Sequence, residues 1–545
     1  MNKNKLGEIL INHQEITAQE LSLCLDIQSI GQNEKLGVIL RHFNFVTDDE
    51  IGAVVAEQVG WKFFKGAYVP DREILNILDL SLLVKHQVFP LKTQNGGKTF
   101  VVAHIDDLEI TDVIGDHFPF INIEFMVGIE KDVRFALENL MQEELSTKVK
   151  EHSRQINEKK HVEGVSGFLD ELINLAVIQH CTDVHFEPSE KALEISFRVD
   201  GMKSSFCCLR KYFIYTIVNR ILTLCELNTG EYFKIKDGGF KFKYFDRAVD
   251  IRVSIIPSVF GPSIVLRILD RAKVSYDLKS LGYSSHNWQK IQSLIKRPYG
   301  IVLVTGPTGS GKSTTLYSLL NHLKSPEKKI VTVENPVEMP QSLMMQTQVN
   351  QAQNLTFASA VRAFLRHDPD VILVGEVRDT ETAQEAFRAA ETGHQVFSTL
   401  HTNDVVGSVL RLKDLGVDVV NISNSLVGVV AQRLIRKLCP LCKTKIIFNR
   451  DACDAAQTKY LNAKITEAFT AVGCSKCING YNGRTVVAEV LTVDDEIRDL
   501  METKDLHAMR QLLKNRSDHK DIFIDAKELF LRGETSLDEI VRVLG

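Results

Sequence analysis

A chain of 545 residues, 44% of them hydrophobic and 25% charged, has the composition of an ordinary globular protein and the length of about three or four domains. Its net charge of −5 and pI near 6.4 argue against a general electrostatic pull toward nucleic acid. The N-terminus MNKNKLGEIL lacks a signal peptide's apolar core, and no apolar run reaches the ~18 residues of a membrane span. The expected location is therefore the cytoplasm, or a membrane surface reached only through partners.

Residues 1–60 hold an internal repeat: KLGEILINHQEITAQELSLCLDIQ begins at Lys5, and KLGVILRHFNFVTDDEIGAVVAEQ begins at Lys35. Each unit reads as a short helix, a turn, and a second helix capped by Thr17 or Thr47 with acidic residues in its first turn. Two such units predict a small helical module. The repeat resembles the N-terminal domain of bacterial export and pilus ATPases that, in some members, binds cyclic di-GMP. Lys5 and Lys35 stand where the ligand-binding version has Arg, and Gln14 and Asn44 where it has Gly. Lysine lacks the planar fork that suits phosphate or guanine edges, so nucleotide binding and partner docking both stay open.

Residues 61–145 mix strand-like runs (99–103, 121–127) with a helical one (131–140), a small α/β region without visible chemistry. Residues 146–164 are charged and poor in large apolar residues, a helical or flexible linker. Residues 165–275 form a second α/β domain. A helix over 168–180 precedes alternating strand LEISFRV, a hairpin turn at Asp200-Gly201, and further strands at 239–244, 248–254 and 263–268. Arg198, Arg252 and Arg267 fall on these strands. They are either paired surface charges or, for Arg252 and Arg267, arginines supplied to a neighbouring subunit's phosphate, where such a charge stabilises phosphoryl transfer.

The segment GIVLVTGPTGSGKS, 300–313, dominates the remainder, 276–545. Four apolar residues make a buried parallel strand; Gly306, Pro307, Thr308, Gly309, Ser310 and Gly311 make a loop; a helix-competent run follows Lys312, Ser313 and Thr314. Strand, glycine loop and helix in that order turn successive N–H groups toward phosphate oxygens. Lys312 is expected to reach the β- and γ-phosphates of ATP and the Ser313 hydroxyl to ligate Mg²⁺. Two more buried strands end in acids: KIVTV before Glu334 and Glu338, and VILV before Gly375-Glu376. Carboxylates just beyond parallel strands sit at the crest where an α/β sheet binds its ligand. Glu376 is expected to orient Mg²⁺ through water or polarise the attacking water, with Glu334 and Glu338 sharing that work. His394 and His401 flank a fourth strand, as γ-phosphate reporters or as packed imidazoles.

Ten cysteines include two C-x-x-C pairs, Cys439/Cys442 and Cys474/Cys477, separated by 31 residues. Two such turns facing each other make a closed tetrahedral Zn²⁺ cage with a structural role. Cys24, Cys181, Cys207, Cys208, Cys225 and Cys453 lack that spacing and read as buried apolar residues.

Taken in order, the segments GPTGSGKSTTLYSLL, TVENPVE, LRHDPDVILVGEVRDTETA, ETGHQVFSTLHTND, AQRLIRKLCPLCK and GCSKCINGYNGRTVVAEVL resemble the GspE/PilB family of secretion ATPases. TDVHFEPSEKALEISFRVDG and DIRVSIIPSVFG resemble its second N-terminal domain. The resemblance implies a RecA-like α/β core in a homohexamer, with ATP between subunits. It further implies a place peripheral to the inner membrane and hydrolysis that drives a membrane platform protein in pilus assembly or type II secretion. Three departures stand out. Asn335 replaces an Asp of the acidic box, Gly239 replaces a common Arg, and Pro262-Ser263 replaces Glu-Lys. The expectation is a working, slow ATPase. A nucleic-acid-translocating ATPase would need a basic or aromatic channel, and a nucleotide-sensing adaptor would need a decayed hydrolytic centre.

Overall fold

The computed structural model of the protein describes every residue except 1–5, 31–34, 44, 94–96, 106–108, 160–163, 245–246, 271–277, 448–466, 475–476 and 504. The chain divides into two compact units, residues 1–271 and 272–545.

The first unit begins with two helix pairs, Leu6–Asn12 with Ala18–Ile30 and Leu36–His42 with Asp48–Val59. Both threonines cap as their sequence context demands. Thr17 Oγ1 accepts from Glu20 N at 3.2 Å while Glu20 Oε2 accepts from Thr17 N at 2.7 Å, and Thr47 and Glu50 repeat the exchange. Leu10, Cys24, Ile39 and Leu40 are among the residues that close one small core between the pairs. Gln14 adopts φ 61°, a left-handed conformation that glycine takes at lower cost. Lys5 and Asn44 lie outside the described residues.

A four-stranded sheet follows, ordered Lys62–Phe63, Ile123–Val127, Lys98–Val102, Val88–Leu91. The charged segment after it is helical: one helix runs from Glu130 to Lys159. Its end is tied down, because the Asn157 amide donates to Cys208 O and accepts from Arg210 N, both at 3.0 Å, on the outer strand of the next sheet. Lys148 and His152 also both reach Glu171, at 3.1 and 2.9 Å.

That next sheet has six strands, all antiparallel: Met202–Arg210, Ala192–Val199, Asp183–Pro188, Gly261–Leu269, Arg247–Ser258 and Lys236–Tyr244. Asp200 and Gly201 both take positive φ, as a tight hairpin turn requires. Helices Val165–Ile178 and Phe213–Leu224 bury their apolar residues in this region. Register places Gly239, Arg252, Arg267, Asp183, Arg198 and Lys203 in one row across the six strands.

The second unit is built on a seven-stranded sheet ordered Met344–Gln348, Ile330–Glu334, Val371–Val374, Gln395–Leu400, Gly300–Thr305, Leu426–Leu438, Tyr481–Thr492. Neighbours are parallel except the last pair. Successive residues of one strand serve opposite cores: Ile301 and Leu303 pack on one face, Val302 and Val304 on the other. With both faces covered, the strands read as continuous apolar runs instead of alternating ones. The loops after Thr305, Glu334, Val374 and Leu400 therefore emerge at one edge, the carboxyl ends of parallel strands.

The C-terminal helix Leu537–Leu544 is pinned to this sheet by a fully buried carboxylate. Glu539 accepts from Arg436 Nη2 at 2.7 Å, from Arg436 N at 2.9 Å, and from Arg542 Nε at 2.7 Å. Arg436 also stacks on the Tyr481 ring, 3.9 Å from its centroid. Burial pushes the Glu539 carboxyl up, but the Arg542 and Arg436 hydrogen bonds outweigh it and hold it below the usual range. A carboxyl so depressed stabilises the fold fully above its unfolded value of ~4.3, and that contribution is lost as pH falls through the lower folded value. Glu539→Ala leaves two arginines facing a cavity without their anion and is expected to destabilise by about 3–5 kcal/mol. A urea midpoint unchanged from wild type at pH 7 would refute this.

Candidate functional site

The phosphate loop has the backbone its sequence calls for. Gly306, Gly309 and Gly311 adopt φ of 149°, 80° and 87°. A Cβ on Gly306 would stand 2.5 Å from Gln432 O, so only glycine lets the loop lie this close to the adjacent strand. Gly311 caps helix Lys312–Leu323 without a side-chain acceptor, which leaves the first-turn N–H groups for an anion to fill. Lys312 is 9% exposed and donates through Nζ to Gly306 O at 2.8 Å and Pro307 O at 3.1 Å. Burial, and then the Arg433 charge, lower its pKa against the opposite pull of Glu376. Ser313 is exposed on the same turn.

A cavity of 480 Å³ opens above this loop. Residues 308–314 line it from one side, and Glu334, Glu338, Glu376 and His401 from the other. Gly306 and Pro307 sit behind the loop, where their carbonyls hold Lys312.

The three acids are placed differently. Glu376 follows Gly375, whose N–H donates to Val333 O at 2.8 Å and whose carbonyl accepts from Thr399 Oγ1 at 2.8 Å. Its Oε2 accepts from Arg378 Nε at 2.6 Å and stands 3.9 Å from His401 Nε2. Glu334 is 5% exposed, and both its oxygens are engaged. Thr332 Oγ1 donates to Oε1 at 2.6 Å, Gln346 Nε2 donates to Oε1 at 3.2 Å, and the Tyr317 hydroxyl donates to Oε2. Glu338 is exposed at the rim. Both Glu334 oxygens are taken up by these three donors, so the geometry favours Glu376 for polarising water.

The two histidines lie at opposite ends of strand Gln395–Leu400. His401 follows its carboxyl end and lines the cavity. Burial, then the Lys312 charge, lower its pKa against Glu376, which favours the neutral imidazole. His394 precedes the amino end, roughly 20 Å away for a six-residue strand. Its Nδ1 meets Ala389 O at 2.9 Å and Thr392 Oγ1 at 3.1 Å. The structure does not bring His394 to the cavity.

In the first unit, Arg267 Nε donates to Asp183 Oδ1 at 3.0 Å, and Arg198 Nε is 3.6 Å from Asp183 Oδ2. Arg252 is exposed beside Arg267 in the same row.

The four paired cysteines converge in the second unit, all sulfurs within 4.8 Å of one another. Cys439 to Cys474 is 3.9 Å, Cys442 to Cys477 is 3.7 Å, and Cys474 to Cys477 is 3.6 Å. Tetrahedral zinc with Zn–S near 2.3 Å demands sulfurs about 3.8 Å apart, so the donor set fits the metal. The remaining described cysteines are less uniform than expected: Cys24 and Cys181 are buried, Cys207 and Cys225 half-buried, and Cys208 exposed. Cys208 departs from the expectation because it sits on an outer strand of its sheet. Cys453 lies outside the described residues.

Sequence reasoning missed the groups that hold Glu334. Tyr317 carried the readable signal, since a tyrosine on the buried face of a helix needs a partner for its hydroxyl.

Residues 157–542 match the family described as Type II/IV secretion system protein, and residues 63–147 match the MshEN domain. The helical repeat before residue 61 falls outside that second match. The chain is 41% identical to the type II secretion system ATPase E of Vibrio cholerae over 381 residues, 69% of this chain and 74% of that one. It is 33% identical to the type IV pilus assembly ATPase PilB of Thermus thermophilus, over 69% of this chain and 42% of that one. In fold it is similar to the ATPase DotB of Legionella pneumophila, with TM-score 0.51 at 23% identity over 68% of this chain and 94% of that one. Among the described residues no helix is long and apolar enough to cross a membrane. With the family matched across most of the chain and a phosphate loop, an acidic crest and a histidine around one cavity, this protein belongs to the type II/IV secretion ATPases and is an ATPase.

Proposed function

We propose that this chain works as a homohexamer at the inner-membrane surface and couples ATP hydrolysis to type IV pilus assembly or type II protein secretion. The observation that carries the reading is the cavity in which the phosphate loop faces Glu376 and His401. There the loop N–H groups and Lys312 hold the β- and γ-phosphates, and Glu376 takes the proton of the attacking water. Glu334, anchored by Tyr317, Thr332 and Gln346, fixes the neighbouring wall, and Glu338 contributes charge at the rim. The Ser313 hydroxyl would hold a Mg²⁺ ion, which when bound would supply charge neutralisation of the transferring group. Neutral His401 offers a hydrogen bond to the γ-phosphate side of the site. Arg252 and Arg267 act on a neighbouring subunit's nucleotide, consistent with an exposed basic row holding a single acid. Zn²⁺ at Cys439, Cys442, Cys474 and Cys477 is structural. Partners are the inner-membrane platform protein and the cytoplasmic assembly proteins of the same machine. Cyclic di-GMP is a candidate ligand of the N-terminal region, supported by the MshEN match and opposed by Lys35 and Gln14.

Glu376→Gln is expected to retain ATP binding and to lower hydrolysis by roughly 10²–10⁴-fold, the usual worth of a positioned base. A deletion strain complemented with wild type or Glu376→Gln, scored for surface pili and secreted proteins, separates the two machines. Loss of pili alone assigns pilus extension, and loss of secretion alone assigns export. A deletion that alters neither would defeat the proposal.

A further inference from the structure

Strand Leu426–Leu438 runs parallel to the phosphate-loop strand, and their pairing ends at Thr305 against Ala431. The next residue on one side is Gly306; on the other it is Gln432, which is 1% exposed. A buried carboxamide must satisfy both its ends, and this one does so entirely around the phosphate loop. Its Nε2 donates to Ser310 O at 2.8 Å. Its Oε1 accepts from the Tyr283 hydroxyl at 2.7 Å and from Thr315 Oγ1 at 3.0 Å. The orientation has no alternative: a carbonyl such as Ser310 O only accepts, so the amide nitrogen faces it and the oxygen is left to the two hydroxyls.

The bond to Ser310 O has a consequence one atom further on. The Ser310 carbonyl and the Gly311 N–H belong to the same planar trans peptide and point in opposite directions. Holding the carbonyl inward on Gln432 turns the N–H outward, to the side on which Gly311 lines the cavity. The Ser310 side chain offers no second anchor, since its Oγ is buried without a hydrogen-bond partner. Gly311 itself, at φ 87°, has no side chain to fix its peptide.

We propose that Gln432 is a positioning residue which aims the Gly311 N–H at the bound phosphate, with Tyr283 and Thr315 fixing the orientation of its amide. Gln432 touches no reacting atom. Its effect passes through one peptide plane, so it governs nucleotide affinity first and turnover second. The inference rests on ATP occupying the 480 Å³ cavity and names a residue 122 positions downstream of Ser310 that sets the loop's donor geometry.

The test is ATP affinity of the full-length protein, read with a fluorescent ATP analogue between pH 6 and pH 8.5, for wild type, Gln432→Glu, Gln432→Leu and Tyr283→Phe. Zinc content and melting temperature serve as folding controls. Glutamate keeps the shape but sets a carboxylate oxygen against Ser310 O. Relative to wild type at the same pH, its dissociation constant is expected to rise about 10- to 100-fold at pH 8. Burial raises the pKa of such a carboxyl against the pull of Arg433, whose guanidinium donates to Gln432 O at 2.9 Å, and once protonated it donates as the amide does. Most of the lost affinity is therefore expected to return as pH falls to 6, whereas Gln432→Leu stays weak throughout. Tyr283→Phe, which removes one of the two hydroxyls, is expected to weaken binding two- to fivefold. Folded Gln432→Glu with wild-type affinity at pH 8, or with a loss that does not depend on pH, overturns the inference. If neither Gln432 variant folds, unchanged affinity in folded Tyr283→Phe overturns it instead. A wild-type protein that binds no ATP would dispose of the nucleotide site itself, an outcome distinct from all of these.

Discussion

Replacing Lys312 with alanine is expected to reduce ATP hydrolysis by the full chain at least about 10²–10³-fold, the usual worth of one fixed charge-stabilising donor in a closed site. The size of the effect follows from where the ammonium sits. Its Nζ lies on the carbonyls of Gly306 and Pro307, inside the curve of the loop and almost fully shielded from water. A cation in that position acts through a low dielectric, where it is worth several times what it would be on the surface. Alanine removes both the charge and the internal brace between the two ends of the loop. The fold is expected to persist, because the aliphatic cores on both sheet faces do not include this residue. Phosphate release by the purified variant, with melting temperature alongside, checks both halves. Hydrolysis at the wild-type rate would remove Lys312 from the mechanism.

Removing the metal is expected to unfold the tetracysteine module while leaving ATP binding in place. Among the described residues between the cysteine pairs, every residue of strand Thr444–Ile447 is exposed, and its partner Glu467–Thr470 buries only Ala468. A segment with so little apolar burial depends on its cross-link, and structural zinc sites supply roughly 10–16 kcal/mol of apparent binding free energy in small peptides. Cys442→Ser, or prolonged chelation, is expected to take bound zinc from one equivalent to none and to open the segment between the C-x-x-C pairs to proteases. Protein purified without chelator that carries well under one zinc per chain would sink the assignment.

What could be read from the sequence was what is encoded locally. The phosphate loop, the Thr17 and Thr47 caps, the Asp200-Gly201 turn and the cysteine pairs each place their chemistry within a few neighbours, and the structure bears out their local geometry. His394 and His401 show the next level of difficulty. Both flank one strand, and only the direction of a parallel sheet, with ligands at the carboxyl ends, separates them. Glu334 went further out of reach, because its commitment to Gln346 depends on an outer strand that the chain reaches only after a loop. Gln432 had no local signal at all: its three partners lie 149, 117 and 122 residues away in sequence.

The antiparallel pair that closes the large sheet has a further consequence. Leu426–Leu438 and Tyr481–Thr492 stay in register from Gly428 against Thr492 to Arg436 against Arg484, and Cys439 N still meets Gly480 O at 2.8 Å. Everything between is, topologically, the tip of a hairpin whose two stems are clamped a strand's width apart. Lengthening such a tip costs only about 0.6 kcal/mol for each doubling of its length, and the stems do not move to accommodate it. Exchanging the tip for one of different size is therefore expected to leave the nucleotide site, on the far side of the clamped stems, as it is.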